Sequence, residues 1–571
     1  MANVNTQFSF YAFIALILLS ISAFSSDSIY IEGYEPDPSL PEANIRKIYL
    51  LIENGKISKK SLKPFEVSEE TKKITETETG MILLSSGFID LHGHLKYNVI
   101  PLWQEAAGQF DNRFTWRSKS SYKNNVTRHL SSKNLGSSKD PNSLLCQTYQ
   151  YAEIKALIGG VTSVQGVGAD RGCTTGILAR NVEIQSDYEE KTEIRVSTEM
   201  VNPNITQFFQ EAVFPKMIEE KKSFDEVTAH MTTLDGLLSS SQKFYLEGYK
   251  GYVNYFKRIF PLGNIRTFIA HLSEGRAQDA YNKLEYKLAK TMGLAQKGLV
   301  IIHGVGLDEA DMKHAASQEM SIVWSPFSNL LLYGETLNLK LANKYGINLT
   351  LGSDWSPSGS KNLLDEVKIA RNYVKKNHIK FITDKDLYEM MTIRPAKALK
   401  LEHKIGRLEE NYLADIVAIK LKSLAVNPYT QIIAAEPSDI QVVMVGGKVV
   451  VGKKTVLNKL DIKSNPEDSV LVNNEVQNNI LCAKYKNSFV VNAPLSIEAL
   501  THNLKNTFSV LDEVTSCSDL YYQNTVKNLF SAKPEFIVAD TGNAAPPRNT
   551  PKQSYRVLSE QMKAIELIQG Q

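Results

Sequence analysis

Two histidines one residue apart close an apolar run in Gly87-Phe-Ile-Asp-Leu-His-Gly-His94. Side chains alternate faces along a β-strand, so residues two apart point the same way. His92 and His94 can therefore reach one ion from a single strand end. Imidazole is a common protein ligand for zinc and iron. A lone His-x-His is as readily two polar residues at a strand–loop junction, because short motifs give false positives. What decides is whether the rest of the chain supplies more ligands.

Three further segments are predicted strands that end in ionisable residues. Ile265-Arg-Thr-Phe-Ile-Ala-His271 is followed by Leu-Ser-Glu274, and Gly298-Leu-Val-Ile-Ile-His303 by Gly-Val-Gly306. Gly346-Ile-Asn-Leu-Thr-Leu-Gly-Ser-Asp354 is followed by Trp355. Each is a short β-prone run closed by a polar group and turn residues. The stretches between have room for helices. Strand–helix alternation over roughly 300 residues predicts a parallel sheet, and a (β/α)8 TIM-like barrel fits that length. Catalytic residues of such barrels sit at the C-terminal strand ends. His92, His94, His271, His303 and Asp354 all fall there in their own segments. Singly, each has a bland alternative. Asp354 before Trp-Ser-Pro could cap a turn or a helix, and Glu274 could be a solvated loop carboxylate. The ordered set argues against all of these being accidents.

The order His-x-His, His-x-x-Glu, His, Asp resembles the amidohydrolase superfamily. The resemblance is greatest to its single-metal branch of cytosine deaminase, guanine deaminase, imidazolonepropionase and the triazine hydrolases. The matching phrases are GFIDLHGH at 87–94, GGVTSVQG at 159–166, HLSEG at 271–275, IIHGVGL at 301–307, SPFSNLLLYG at 325–334 and LGSDWSPSG at 351–359. RPAKALKLEHKIGRLEENYLADIVAI at 394–419 and VVMVGGKVVV at 442–451 resemble the family's closing helix and its return to a small β-domain. The resemblance covers about residues 28–455. It is specific for the superfamily and weak for the substrate.

The resemblance implies that His92, His94, His271 and Asp354 hold one divalent metal, zinc or alternatively iron. Three imidazoles and a carboxylate suit either ion. Such an ion leaves a position for water and lowers that water's pKa from about 15.7 towards about 7. Glu274, three residues beyond a ligand, would shuttle the proton to the leaving group. His303 would orient the water or polarise the substrate. Asp354 could combine ligation with accepting a proton. Other superfamily members hold two metals bridged by a carbamylated lysine on the fourth strand. Lys216, Lys243 and Lys250 fall in polar, helix-like stretches, and that strand is hard to place between Val201 and Ile265. His-x-x-Glu argues for one metal.

A chain of 571 residues with a net charge of +3 allows more than one domain and a sizeable core. No basic block or aromatic stripe suggests nucleic acid, so the expected partner is a small-molecule substrate, with self-association left open. Cys146, Cys173, Cys482 and Cys517 are scattered, without the spacing of a zinc knuckle or a dense disulfide framework. One or two disulfides suit an exported protein. Export is expected from the apolar run Phe10–Phe24, followed by Ser25 and Ser26. The run is short for a bilayer-spanning helix. No Lys or Arg precedes it, so an uncleaved anchor is the alternative; after cleavage no stable membrane association is expected. Asn125, Asn204 and Asn348 each begin an N-x-Thr pattern, the last inside a predicted buried strand.

The predicted organisation is a signal peptide at 1–26, a β-domain in two parts at 27–86 and 405–457, a hydrolase barrel at 87–404, and an extension at 458–571. The two flanking parts would pair as a small β-sandwich domain, as in the family, with a Gly446-Gly447 hairpin signal in the second. Residues 110–145 read as a long polar loop near the site mouth. The extension holds a strand-like Ser488–Asn492, helical periodicity at 496–515, a Pro-rich linker at 543–551 and a final helix at 552–569.

The expected activity is metal-dependent hydrolysis of a non-peptide C–N bond in a cyclic amide, imide or amidine. The alternatives are an exported dipeptidase or N-acyl-amino-acid hydrolase, and a non-catalytic binding protein on the same fold. Loss of Glu274 or a ligand would favour the last, and all are present. Lys96, Arg171, Arg180, Ser328, Asn329, Trp355, Ser356 and Lys361 lie near predicted strand ends, where cations could meet a substrate carboxylate. Arg180 could equally cap a helix, and Asn329 could hold its own loop.

Overall fold

The structure, a computed structural model, describes residues 28–37, 44–130, 135–174, 178–197, 214–220, 265–291, 293–470, 487–508, 511–512 and 519–530. The predicted signal peptide, Asn204, Lys243, Lys250, Cys482, Cys517, the 543–551 linker and the 552–569 helix lie outside these residues. Lys216 falls in the helix Phe214–Glu220. Among the described residues no helix is long and apolar enough to cross a membrane.

Before the barrel come β1 (Ile29–Pro36), β2 (Ile45–Glu53), β3 (Lys56–Ser61), β4 (Lys72–Ile74) and β5 (Ile82–Ser86). After it come β14 (Ile416–Lys420), β15 (Ile440–Val445), β16 (Lys448–Lys453) and β17 (Ser488–Val490). They form one nine-stranded sheet in the order β17-β16-β15-β14-β5-β1-β2-β3, with β4 paired to β1. The two flanking parts thus join, and the β5–β14 pairing is antiparallel from Ser86↔Ile416 to Ile82↔Lys420. The hydrogen-bonded path is a single sheet rather than the two separate sheets of a sandwich. β17 comes from the extension, so the extension is built into this sheet.

Residues 82–84 of β5 and 416–419 of β14 are continuous apolar runs because both faces are covered there. Ile82, Leu84, Ile416 and Ala418 point into the β-domain core. Leu83, Val417 and Ile419 point towards the barrel core. The alternation of a strand thus serves two cores at once.

Eight parallel strands follow in chain order: β6 (Phe88–Asp90), β7 (Val161–Val164), β8 (Arg180–Asn181), β9 (Glu193–Ser197), β10 (Ile265–Leu272), β11 (Leu299–His303), β12 (Ser321–Trp324) and β13 (Asn348–Leu351). They lie in two hydrogen-bonded sheets, β6-β7-β8 and β13-β12-β11-β10-β9. A closed barrel ladder is therefore not observed among the described residues. The last strand still returns to the first through a parallel bridge between Gly93 and Asp354. Side chains from both sheets, including Ile89, Val182, Ile194, Ile269, Val300 and Val323, meet in one inner cluster.

The strand paired before β10 is Glu193–Ser197, upstream of the 201–265 interval. Its charged Glu193 and Arg195 hide it from an apolar pattern, and its described span carries no lysine. Residues 113–130 are not a loop but a series of short helices, beginning with Arg113–Arg117. Their aromatic residues explain this: Phe110, Trp116 and Tyr122 are buried in one cluster with Phe327 and Trp355. Cys146 and Cys173 form a disulfide.

Candidate metal centre and cavity

His92 follows β6 by two residues, His271 lies near the end of β10, His303 ends β11 and Asp354 follows β13 by three. All converge at the C-terminal ends of the parallel strands. His92 Nε2 lies 3.1 Å from His271 Nε2 and 3.2 Å from Asp354 Oδ1. His94 Nε2 lies 3.5 Å from the same Asp354 oxygen. The donor atoms of His92, His94 and His271 fall within 4.8 Å of one another, as do those of His92, His303 and Asp354, and those of His271, Glu274 and His303.

The backbone is bent to achieve this. Ser273, His303 and Asp354 have φ of 55°, 71° and 62°. Non-glycine residues adopt this left-handed region rarely, and such strain gathers at functional sites. Gly352 serves a different need. A Cβ there would lie 2.4 Å from the Cβ of His92, so only glycine lets the exit of β13 pack against that ligand.

Partners behind the cluster fix the rings. His92 Nδ1 meets Ser325 Oγ at 2.8 Å, and His303 Nδ1 meets Asn329 Oδ1 at 2.8 Å. An Nδ1–H donated outward leaves the Nε2 lone pair facing inward, as a metal ligand requires. Asp90 ties the two strand ends together, its Oδ1 accepting from His92 N at 3.1 Å and Ser353 N at 3.2 Å. Burial pushes the Asp90 carboxyl up to about 6 despite these bonds.

The electrostatics suit a cation. Burial lowers His94 to about 4. Burial, reinforced by the neighbouring His92, His94 and His303, holds His271 well below the ordinary histidine range. Burial would raise Asp354, but the surrounding His92, His94 and His303 bring its carboxyl below the usual carboxylate range. Neutral His94 and His271 beside an ionised Asp354 are the protonation states that metal ligation demands. His92 Nε2 and His271 Nε2 face each other at 3.1 Å, a separation that needs a proton or a cation between them. The residues present therefore fit one divalent ion.

A cavity of about 180 Å³ opens above the cluster. Its floor is His94, His271, His303 and Asp354, and Glu274 stands at its side. Tyr97, Trp116, Tyr122 and Trp355 give it aromatic walls, and Arg113 and Arg117 add cationic groups. Glu274 Oε1 accepts from Tyr333 OH at 2.6 Å and lies 3.7 Å from His303 Nε2. Its other oxygen is 3.8 Å from Arg113 Nη1.

The other sequence candidates divide sharply. Trp355 lines the cavity, and Asn329 supports His303. Arg180 does neither of the things expected of it. Its guanidinium binds Asp415 at 2.8 Å, at the junction with the nine-stranded sheet. Lys361 and Ser356 face a buried cluster behind the cavity. Lys96 lies 3.9 Å from Asp170, Arg171 is exposed, and Ser328 is buried in the helix Pro326–Tyr333. Asn348 donates to Ser321 Oγ and Arg394 O at 3.0 Å each, which engages it in the barrel wall.

Sequence reasoning missed Asp90, Arg113, Trp116, Ser325 and Tyr333. Two of these left a signal. Asp90 is an acid inside an apolar strand, two residues before His92. Tyr333 follows Asn329 by four residues, so both stand on one face of their helix.

Residues 83–450 match the amidohydrolase family. That span exceeds half of the chain, and the protein belongs to this family. It is similar to 5-methylthioadenosine/S-adenosylhomocysteine deaminases. The one from Thermococcus onnurineus is 28% identical over 247 residues, covering 40% of this chain and 58% of that protein. The one from Pyrococcus abyssi is 31% identical over 193 residues, covering 32% and 45%. The chain thus spans about half the length of the curated relatives it matches. A solved triazine hydrolase variant shares 15% identity with a TM-score of 0.52, over 84% of this chain and 99% of that one. This second likeness shows the fold alone.

Proposed function

We propose that the protein is a metal-dependent hydrolase that removes an amino group from a planar, amidine-containing ring. The observation that carries this reading is the convergence of His92, His94, His271 and Asp354 with Glu274 and His303, all but His92 lining one aromatic-walled cavity. The kinship with deaminases supports the C–N bond as the target. A bound divalent ion, proposed to be a single zinc held by those first four residues, supplies Lewis-acid activation of water.

The chain's own groups account for the rest. Glu274 takes the proton of the attacking water and returns it to the departing amine. Tyr333 holds the carboxylate in place through Oε1. His303 Nε2 is buried and without a hydrogen-bond partner; with Nδ1–H given to Asn329 Oδ1, its lone pair can accept from the attacking water and orient it. Trp355 and Trp116 give a flat ring a surface to lie against and keep water out. The deciding test is ammonia release by zinc-loaded protein from 5-methylthioadenosine, S-adenosylhomocysteine, guanine and aminotriazines. Release from one of them that vanishes in Glu274→Gln is expected. Hydrolysis of N-acyl amino acids or dipeptides instead would move the protein to the peptidase-like alternative.

The apolar run at 10–24 supports export. N-terminal sequencing is expected to find a mature start near Ser25 to Ser28. Met1 or Ala2 on membrane-bound protein would mean an anchor instead.

A further inference from the structure

The chain beyond the family match reaches the back of the cavity. Asp512, whose side chain is 0% exposed, sits between Lys155 and Lys361 and contacts both ammonium groups. Lys155 belongs to the helix Leu144–Leu157, which packs on the barrel core. Its Nζ also donates to Ser356 Oγ at 2.6 Å and to Asn98 O at 2.8 Å. Lys361 Nζ also donates to Asp519 Oδ2 at 2.7 Å. The backbone of Asp512 is held too, its N donating to Val99 O at 2.8 Å and its O accepting from Tyr151 OH at 2.6 Å.

The helix Leu520–Leu529 continues the contact. Lys361 N donates to Tyr522 OH at 3.4 Å, and the Tyr522 ring meets Phe327 edge-on at 5.7 Å between centroids. Tyr522, Trp116 and Trp355 share one apolar cluster. Ser356 and Lys361 lie in the loop that leaves Asp354 and carries Trp355. Two tail aspartates and two barrel lysines therefore make one buried cluster around this loop.

Charge decides what the cluster does. A buried ammonium is tolerated when paired and strongly unfavourable when its partner is removed. Asp512 is the group that pairs with both lysines at once. Without it, Lys155 and Lys361 face each other with Asp519 as the remaining carboxylate among these contacts. The loop thus keeps its buried course because the tail is docked on it.

We propose that Asp512, Asp519 and the helix Leu520–Leu529 form an internal clamp on the Trp355 loop and that Asp512 is a positioning residue for the cavity wall. It acts through Ser356 and Lys361 and does not touch substrate. The inference rests on the proposed function only in taking the Trp355-lined cavity as the substrate site.

Hydrogen–deuterium exchange on the full chain tests it without any substrate, so its outcome is independent of the hydrolase assignment. Asp512→Asn keeps the shape and removes the charge. Exchange in residues 353–363 is expected to rise at least about tenfold, while the strand Ile440–Val445 stays protected. Adding Lys155→Met removes the orphaned ammonium, leaves the Lys361–Asp519 pair, and is expected to restore protection. Unchanged exchange at 353–363, or an equal rise throughout the molecule, overturns the clamp. Should Asp512→Asn fail to fold, Asp519→Asn at the edge of the cluster is expected to give a smaller rise confined to 353–363. Its absence there overturns the proposal equally.

Discussion

Tyr333 OH donates to Glu274 Oε1 at 2.6 Å and accepts from Trp116 Nε1 at 2.9 Å. The phenol therefore links the cavity wall to the carboxylate proposed to move the proton. Burial and the adjacent Glu274 hold the phenol well above the ordinary tyrosine range, so it stays a donor. Tyr333→Phe removes both bonds and keeps the ring, and the one to Glu274 is the one that bears on proton transfer. We expect turnover to fall about tenfold, the scale of one net hydrogen bond of about 1.5 kcal/mol to a charged group. Substrate affinity should change little. Steady-state kinetics read both.

Glu274→Gln keeps the shape and removes the titratable group. General acid–base catalysis contributes about 10² to 10⁴ in rate, and a fall of that order is expected with metal content and melting temperature nearly unchanged. Tyr333→Phe added to Glu274→Gln should cost little more, because both changes act through one carboxylate. Independent, additive losses would show that Tyr333 works through packing. Loss of the metal in Glu274→Gln would make Glu274 a ligand.

Metal content gives a third check. Protein purified without chelator is expected to carry close to one zinc or iron per chain. His92→Ala or Asp354→Ala should empty the site and leave the fold, since both side chains lie at strand ends and not within the inner apolar cluster. Elemental analysis with circular dichroism measures both. Stoichiometric metal surviving both substitutions would rule out this site, and a firm count of two would demand a second ligand set.

The cluster was legible in the sequence because its members lie at or just beyond the ends of four strands, where polar residues close apolar runs. What surrounds the cluster was not. Arg180 and Lys361 look like free cations near strand ends. Their counter-charges, Asp415 and Asp512, lie 235 and 151 residues further on, a distance no local pattern bridges. Residues 110–145 look like a loop by composition, yet Phe110, Trp116 and Tyr122 are claimed by a cluster that includes Phe327 and Trp355. The nine-stranded sheet was half visible. Its two parts were each readable as strands, but their order and the capture of β17 from the extension depend on long-range pairing.

Asp279 offers a test of the fold's acid response away from the cluster. It precedes the helix Ala280–Thr291 and accepts from Asn282 N at 2.9 Å and Asn112 Nδ2 at 3.0 Å. Burial nevertheless pushes its carboxyl from 3.8 up to about 7. Between these values the native state binds more protons here than the unfolded chain does, so this group's contribution to stability falls as pH rises. It is fully present below the unfolded value and gone above about 7. Asn caps helices as well as Asp does and never ionises. Asp279→Asn should therefore show a flatter melting temperature between about pH 4 and 7 than the natural protein, and should equal or exceed it at pH 8. Melting curves across that range measure the difference. A deficit in the variant that grows with pH would mean that the ionised carboxylate stabilises the helix start, and that burial does not govern this site.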